Sequence, residues 1–329
     1  MERLVVIVIN WNGIDDTVAC IKSLSKQVQP VDIVVVDNGS TDDSVSVLEK
    51  TKNITLIKQD NLGIAGGMNT GAKYALENGY KYFALLNNDT LVDKYWSKKL
   101  VEKAVGGNVG VVTSLMLDIT GDKIDTTGEQ YSIWGLSFPR GRDRKVETAP
   151  ESGFVFAATG GASLYKTEVI RDIGLFDEDI SAYYEDTDMC FRAQLAGWKV
   201  VYAKDAVVYH KRGESSKKIP GFTVYQTFKN LPLVYIKNVP RGLLFKIGIR
   251  FYFAYLMIYL NAIKNGSGVP ATKGLLKGFL LGFKKLGERY RIQSTKKVTS
   301  KYIAGMLWDD LPPDQSGLRK LRKLFTGKN

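Results

Sequence analysis

An unbroken apolar run from Leu4 to Ile9 opens the chain, and continuous Leu, Val and Ile without polar alternation marks a strand covered on both faces, as in a parallel sheet. Asn12 and Gly13 end it, and Asp15 or Asp16 can cap a helix that places Val18, Ile21 and Leu24 on one face. The stretch "VDIVVVDNGSTDDS" repeats the strand and turn, and Ser40 with Asp43 three residues later resembles a capping box for a helix toward Leu48. A strand from Ile54 to Ile57, a Gly-rich turn "NLGIAGGMNTG", a helix from Ala72 to Glu77 and a strand from Tyr80 to Leu86 extend the alternation. Strand and helix in turn predict an α/β protein with a mostly parallel, Rossmann-like sheet flanked by helices.

Residues 118–152 are polar and weakly periodic, which predicts an irregular insertion with "RGRDRK" as its exposed tip. Order resumes with a strand, Gly160-Gly161, a second strand and a helix. A further helix ends at Gly197, and two strand-like runs follow, "KVVYA" and "AVVYH". A first domain over residues 1–215 is expected, followed by residues 216–329, where aromatics and Leu interleave with Lys and Arg in helical patterns. The longest uncharged stretch there, Phe251 to Ile263, has 13 residues, short of the roughly 20 that a spanning helix needs. The pattern suits a basic, amphipathic helical region lying on an anionic membrane surface rather than crossing it.

Charge sharpens the division. Residues 1–210 carry 22 Lys and Arg against 29 Asp and Glu, whereas residues 211–329 carry 24 against 5, so −7 precedes +19. The second region therefore faces something anionic. Cys20 and Cys190 lie far apart and offer no disulfide framework, which suits a reducing compartment. Only nine residues precede Asn10, too few for the three regions of a signal peptide. A cytoplasmic protein, peripheral on the inner face of the cell membrane, is the expectation.

The residues that can do chemistry lie at strand ends and loop edges: Asp37, Asn88 and Asp89, the pair Glu185 and Asp186, and His210, the only histidine in the chain. Each has an ordinary structural use, as a cap, a turn or a first-turn acid favoured by the helix dipole. Together they fall where an open α/β sheet gathers its ligand crevice. Gly63, Gly66 and Gly67 permit close backbone approach, and Asn61 or Asn69 can hydrogen-bond a base or a sugar. Neither a P-loop nor a G-x-G-x-x-G fingerprint is present in this stretch.

The segments "VVIVINWNG", "IVVVDNGSTDDS", "NLGIAGGMNTGAKYA", "LLNNDTLV" and "GLFDEDISAYYEDTDMCFRAQLAGWKVVYAKDAVVYHKRGES" resemble family 2 of the inverting glycosyltransferases, with the GT-A fold, and within it the bacterial rhamnosyltransferases. The resemblance covers about residues 1–216. It implies a nucleotide-diphosphate sugar donor bound by Asn10, Asp37, Asn61, Gly66, Gly67, Asn69, Asn88 and Asp89. It implies Asp186 as the base with Glu185 supporting it, and an acceptor site at Gly160, Gly161 and Tyr184. Asn87-Asn88-Asp89 matches a metal motif usually written D-x-D, so Asp89 and His210 become the expected ligands of Mg²⁺ or Mn²⁺. A histidine with the ordinary pKa near 6.5 is largely neutral at pH 7 and able to bind metal.

dTDP-rhamnose is the first choice of donor, ahead of a UDP-hexose or UDP-galactofuranose, and a glycan or polyprenyl-diphosphate-linked acceptor is implied. An inactive sugar-nucleotide-binding scaffold is the alternative motivated by the missing Asp at 87 or 88. The basic, aromatic tail also raises nucleic acid as a partner. No nucleic-acid motif accompanies it, and its aromatics sit in Leu-rich helical patterns, so no nucleic acid is expected.

Overall fold

The computed structural model describes residues 3–212 and 219–313. The expected domain boundary at 215 and Gly213 after His210 lie outside the described residues. The chain begins β1 (Leu4–Asn10), α1 (Ile14–Leu24), β2 (Asp32–Asn38), α2 (Ser44–Leu48), β3 (Thr55–Gln59), α3 (Gly63–Glu77) and β4 (Tyr82–Asn87). It continues β5 (Thr90–Val92), α4 (Trp96–Ala104), β6 (Val109–Asp118), β7 (Ile124–Thr126), β8 (Glu129–Tyr131), β9 (Ser137–Pro139), β10 (Gly153–Phe154) and β11 (Ala162–Lys166). Last come α5 (Thr167–Ile173), α6 (Glu185–Leu195), β12 (Lys199–His210), α7 (Phe222–Asn238), α8 (Arg241–Lys264), α9 (Gly268–Thr295) and α10 (Ser300–Met306).

The main sheet runs β10-β12-β6-β11-β4-β1-β2-β3, with β5 on β12 and β7 on β6. β1 pairs in parallel with β2 and β4, β2 with β3, and β12 with β6. β11 runs antiparallel between β4 and β6. Along β1 the two-residue period sends Val5 and Ile7 into the core on one face and Leu4, Val6 and Val8 into the core on the other. That double burial is why the sequence shows an unbroken apolar run. The order reverses between β1 and β4, where the chain has crossed over through α3, so the carboxyl ends of β1, β2 and β4 frame a crevice.

Several expectations are corrected. The Gly-rich stretch is not a turn: α3 begins at Gly63, and Gly66 and Gly67 are inside it. A Cβ at Gly67 would stand 3.1 Å from Ile9 of β1, so that glycine serves close packing of helix on sheet, and one at Gly66 would strike Leu62, which enters the helix one turn earlier. Residues 118–152 are not irregular but contain β7, β8 and β9 folded over the sheet end, with Tyr131, Trp134 and Leu136 fully or nearly fully buried. The two carboxyl-terminal strand runs are one strand, β12, with a register shift between Ala203 and Val207. Gly13, not an aspartate, precedes α1. Ser40 is no capping box either: α2 starts at Ser44, and the Ser40 hydroxyl accepts instead from Asn10 and from the amide of Asn12.

The basic helices dock through a buried ionic cluster. Lys237 of α7 reaches Asp177 at 2.5 Å and Asp188 at 2.9 Å, and Lys285 of α9 reaches Asp177 at 2.7 Å and Asp179 at 2.8 Å. Asp177, Asp179 and Glu288 stand close enough together to hold a cation. The Lys285 ammonium already fills that role, with Glu288 at 2.7 Å. Gly274 and Gly278 let α9 lie directly on the backbone of Tyr225 and Lys229 in α7. α8 is a continuous 24-residue helix, the one among the described residues long and apolar enough to cross a membrane by length and composition, and only 17% of its apolar window is buried.

Candidate active site

At the framed crevice lies a cavity of about 580 Å³. Its floor comes from Asn87, Asn88 and Asp89 after β4, its flanks from Trp11, Asn38, Asn61 and Gly63, and its far wall from Gly160, Ser181, Tyr183, His210 and Gln226. Polar side chains collect here because three parallel strands end together on asparagines, Asn10, Asn38 and Asn87, still in register with their neighbours.

Asp89 and His210 meet. Nε2 of His210 lies 3.2 Å from Oδ1 of Asp89, and both side chains are only 12% exposed. β12 pairs antiparallel with β5, setting His210 opposite Thr90 and so beside Asp89. The other ring nitrogen, Nδ1, donates to Oδ2 of Asp125 at 2.6 Å. Asp125 itself is braced by Arg212 at 2.8 Å and Arg142 at 3.1 Å. Burial would raise the Asp125 carboxyl, but His210 and the two guanidinium groups hold it below the usual range.

The imidazole is not neutral as expected. Burial works to lower its pKa, but the hydrogen bonds to Asp125 and then to Asp89 prevail and push it up to about 9. Asp125 and Arg142 escaped sequence reading, since both lie in the stretch that reads as an irregular insertion, whereas Arg212 follows His210 where the sequence suggests a site edge. The only available signal was a lone Asp between Ile124 and Thr126, in alternating strand-like order.

Asp186 is half-buried in the first turn of α6. Its Oδ2 accepts the Gly160 amide at 2.8 Å and its Oδ1 the Thr187 amide at 2.6 Å. A Cβ on Gly160 would stand 3.0 Å from Met68 and 3.5 Å from Glu185, so glycine leaves the cavity wall thin in front of both acids. Glu185 is 6% exposed, and its Oε2 has no hydrogen-bond partner. Burial and then the charge of Asp186 push Glu185 well above the carboxylate range, and the same two causes push Glu129 of β8 up to about 8. Burial also raises Asp186, but the amides of Gly160 and Thr187 oppose it. Glu185 and Glu129 are thus held above the ordinary carboxylate range, while the amides of Gly160 and Thr187 favour the charged form of Asp186.

Two consecutive left-handed residues, Tyr183 at φ 61° and Tyr184 at φ 70°, swing the chain into α6. Such non-glycine conformations cost roughly 1–3 kcal/mol each and persist only where surroundings enforce them. Asn230 of α7, fully buried, enforces them by donating to the carbonyls of Ala182 and Tyr183. The turn brings Tyr183 to the cavity, while Tyr184, the residue assigned to the acceptor site, packs toward the core.

Other expected positions fall elsewhere. Asn69 does not reach the site: its side chain pairs with the Phe176 backbone in both directions and with Glu178. Gly66 and Gly67 face α3 packing, as described above. Asp37 is 2% exposed, accepting from Asn10 at 2.7 Å and from the Ser40 amide at 3.0 Å. Asn10 and Asp37 thus form a layer behind Asn38 and Asn61, which line the cavity. Asn61 receives the Gly63 amide and Asn38. Asn88 donates to Thr17 while also lining the floor. Gly161 sits against Asn87, whose amide it accepts.

Residues 5–174 match the family described as Glycosyl transferase family 2. The chain is similar to dTDP-rhamnosyl transferase RfbF of Shigella flexneri, 27% identical over 196 residues. That match covers 58% of this chain and 64% of the relative's length. It is also similar to the low-salt glycan biosynthesis hexosyltransferase Agl10 of Haloferax volcanii, 21% identical over 299 residues, covering 82% of this chain and 94% of that one. Among solved structures, the mannosyltransferase PcManGT of Pyrobaculum calidifontis, in complex with GDP-Man and Mn²⁺, superposes with a TM-score of 0.52 at 14% identity, covering 99% of this chain and 81% of that one. GalNAc-T7 with UDP, GalNAc and Mn²⁺ gives 0.62 at 17%, covering 90% and 58%. At these identities the solved structures establish the shared GT-A fold.

Proposed function

The chain belongs to glycosyl transferase family 2, and from that membership and the site's geometry we propose that it is an inverting enzyme carrying a sugar from a nucleoside diphosphate to a hydroxyl of a glycan or polyprenyl-diphosphate-linked acceptor. The observation that carries this reading is the convergence of Asp89 and His210, 3.2 Å apart, on a cavity that Gly160 also lines, with Asp186 held on the Gly160 amide. dTDP-rhamnose is the donor we favour, supported by the likeness to a dTDP-rhamnosyl transferase; a UDP-hexose or UDP-galactofuranose is second.

Asp186 is the base. Moving a sugar with inversion requires the acceptor hydroxyl to lose its proton on the face opposite the leaving diphosphate, and a carboxylate whose charged form is favoured by two backbone amides is suited to take it. Glu185 stands beside it as the supporting acid. Asn38 and Asn61 supply polar contacts for the nucleoside end, and Asn10 and Asp37 hold their loop. Asp89 and His210 fit a divalent cation, Mg²⁺ or Mn²⁺: one carboxylate and, once the cation displaces the Nε2 proton, one imidazole nitrogen would hold it, and Asp125 fixes the ring through the other nitrogen, as second-layer carboxylates do for metal-bound histidines. Such an ion, when bound, would neutralise charge on the departing diphosphate.

With a single aspartate and a histidine as ligands, metal and donor are expected to bind together. Thermal-shift titration of Mn²⁺ should show weak saturation alone and markedly tighter saturation with nucleotide present, and a panel of nucleotide sugars should rank dTDP-rhamnose first. Equal Mn²⁺ affinity in both conditions would refute the shared site; a panel in which no nucleotide sugar shifts the melt would sink the reading itself.

The basic helices are proposed to hold the enzyme on the inner, anionic face of the cell membrane. Phe245 and Tyr252 of α8 and Phe279, Phe283 and Tyr290 of α9 are between 61% and 81% exposed, beside a second, almost wholly apolar cavity of about 480 Å³. Lys and Arg near such a surface contribute about 1 kcal/mol each toward anionic lipid. Flotation should carry the protein with vesicles containing phosphatidylglycerol and leave most of it behind with phosphatidylcholine alone. Phe283→Asp should weaken flotation at unchanged melting temperature, and recovery of all the protein below the anionic vesicles would end the idea.

A further inference from the structure

Lys229 of α7 is 5% exposed, yet among the described residues no carboxylate lies within salt-bridge distance of it. Its ammonium makes one hydrogen bond, to the Ser181 hydroxyl at 3.3 Å, and faces the Tyr225 ring at 5.9 Å. The acids nearest in its field, Asp179 and Asp177, are already engaged by Lys284, Lys285 and Lys237, while Lys277 and Lys285 of α9 add repulsion. Burial pulls the ammonium down to about 8. A cation stripped of water and left without a counter-charge is costly to the fold.

Ser181 explains what that arrangement is arranged to do. Its hydroxyl has two acceptor lone pairs and one proton to give. Gln226 donates to it at 3.2 Å and Lys229 at 3.3 Å, so both lone pairs are taken. No acceptor for the hydroxyl proton exists among the described residues, and Ser181 lines the cavity beside Gly63, whose lack of a side chain admits it: a Cβ there would stand 3.2 Å from Ser181. The serine hydroxyl is thereby left with a proton to give at the cavity wall, polarised by the charge beside it.

We propose that Lys229 and Ser181 together form a phosphoryl-recognition element of the cavity, with Ser181 donating to an anionic phosphoryl oxygen and Lys229 supplying the compensating charge. This rests on the glycosyltransferase reading and adds to it a buried cation of the helical region that stands behind Ser181 of the cavity wall. The phosphoryl group belongs either to the nucleoside diphosphate or to a diphosphate-linked acceptor, and Lys229 is a positioning residue in either case.

The test uses Lys229→Met, which keeps the stem and removes the charge, and Ser181→Ala, each in the full chain. Calorimetric titration with dTDP, UDP and farnesyl diphosphate in the presence of Mn²⁺ should show at least about tenfold weaker binding, the range expected for losing a charge-assisted hydrogen bond. Weakening toward the nucleotides assigns the element to the donor; weakening toward farnesyl diphosphate assigns it to the acceptor. A purely structural lysine would lower the melting temperature on replacement, whereas here Lys229→Met should leave it unchanged or raise it. A wild type that binds none of these probes ends both this proposal and the reading beneath it. Binding that both variants leave unchanged ends this proposal alone.

Discussion

Replacing Asp186 with Asn should reduce turnover by about 10²- to 10⁴-fold while the affinity for nucleotide sugar and Mn²⁺ stays near that of the wild type. The amide has the carboxylate's shape but one acceptor oxygen, so it keeps one of the two hydrogen bonds that the Gly160 and Thr187 amides now make to separate carboxyl oxygens. Beyond the other bond it loses the capacity to take a proton. Burial and the charge of Asp186 raise both Glu185 and Glu129 above the ordinary carboxylate range, and neither shares the amide contacts that favour charge at position 186, so neither is placed to replace it. Initial rates with the best donor from the thermal-shift panel, paired with calorimetric titration of that donor, separate the two effects. Full turnover in this variant would end the assignment of Asp186, and lost donor binding would place it in the donor site.

A second large effect lies far from the cavity. Lys237→Met should destabilise the protein by about 3–5 kcal/mol, the usual cost of removing one partner from a buried ionic group, lowering the melting temperature by roughly 10 °C. Asp188, wholly buried, would keep only Arg192 and Asn238, and Asp177 would keep only Lys285. The same cluster sets the acid limit. Burial opposes ionisation of Asp177, but Lys237 and Lys285 overcome it and hold its carboxyl at about 2, below the ordinary 3.8. A depressed folded-state pKa contributes stability that is complete above the unfolded value and lost as pH falls through the folded one. Melting temperature should therefore fall between about pH 4 and pH 2, and less steeply in Lys237→Met. Unchanged melting in that variant would mean that the helices do not depend on the cluster.

The sequence already carried the layered α/β order, the segregated charge and the positions of Asp89, Asp186 and His210 at element ends. These are local properties: an apolar run, a turn residue and an adjacent acid are written within a few residues of one another. It misplaced the Gly-rich segment because glycine is costly in an isolated helix, and only packing of Gly67 against Ile9 in the folded sheet shows why α3 keeps it. It likewise made a polar stretch into a loop, although β7 brings Asp125 to within 2.6 Å of His210.

The protonation of His210, the strained entry to α6 clamped by Asn230, and the uncompensated charge of Lys229 come from groups that are 47 to 85 residues apart in the chain. Electrostatic environment and hydrogen-bond satisfaction depend on distances in space, which one-dimensional spacing does not encode. Residue types and elements were thus legible along the chain; which charges face one another, and which are left without a partner, was decided by the tertiary structure.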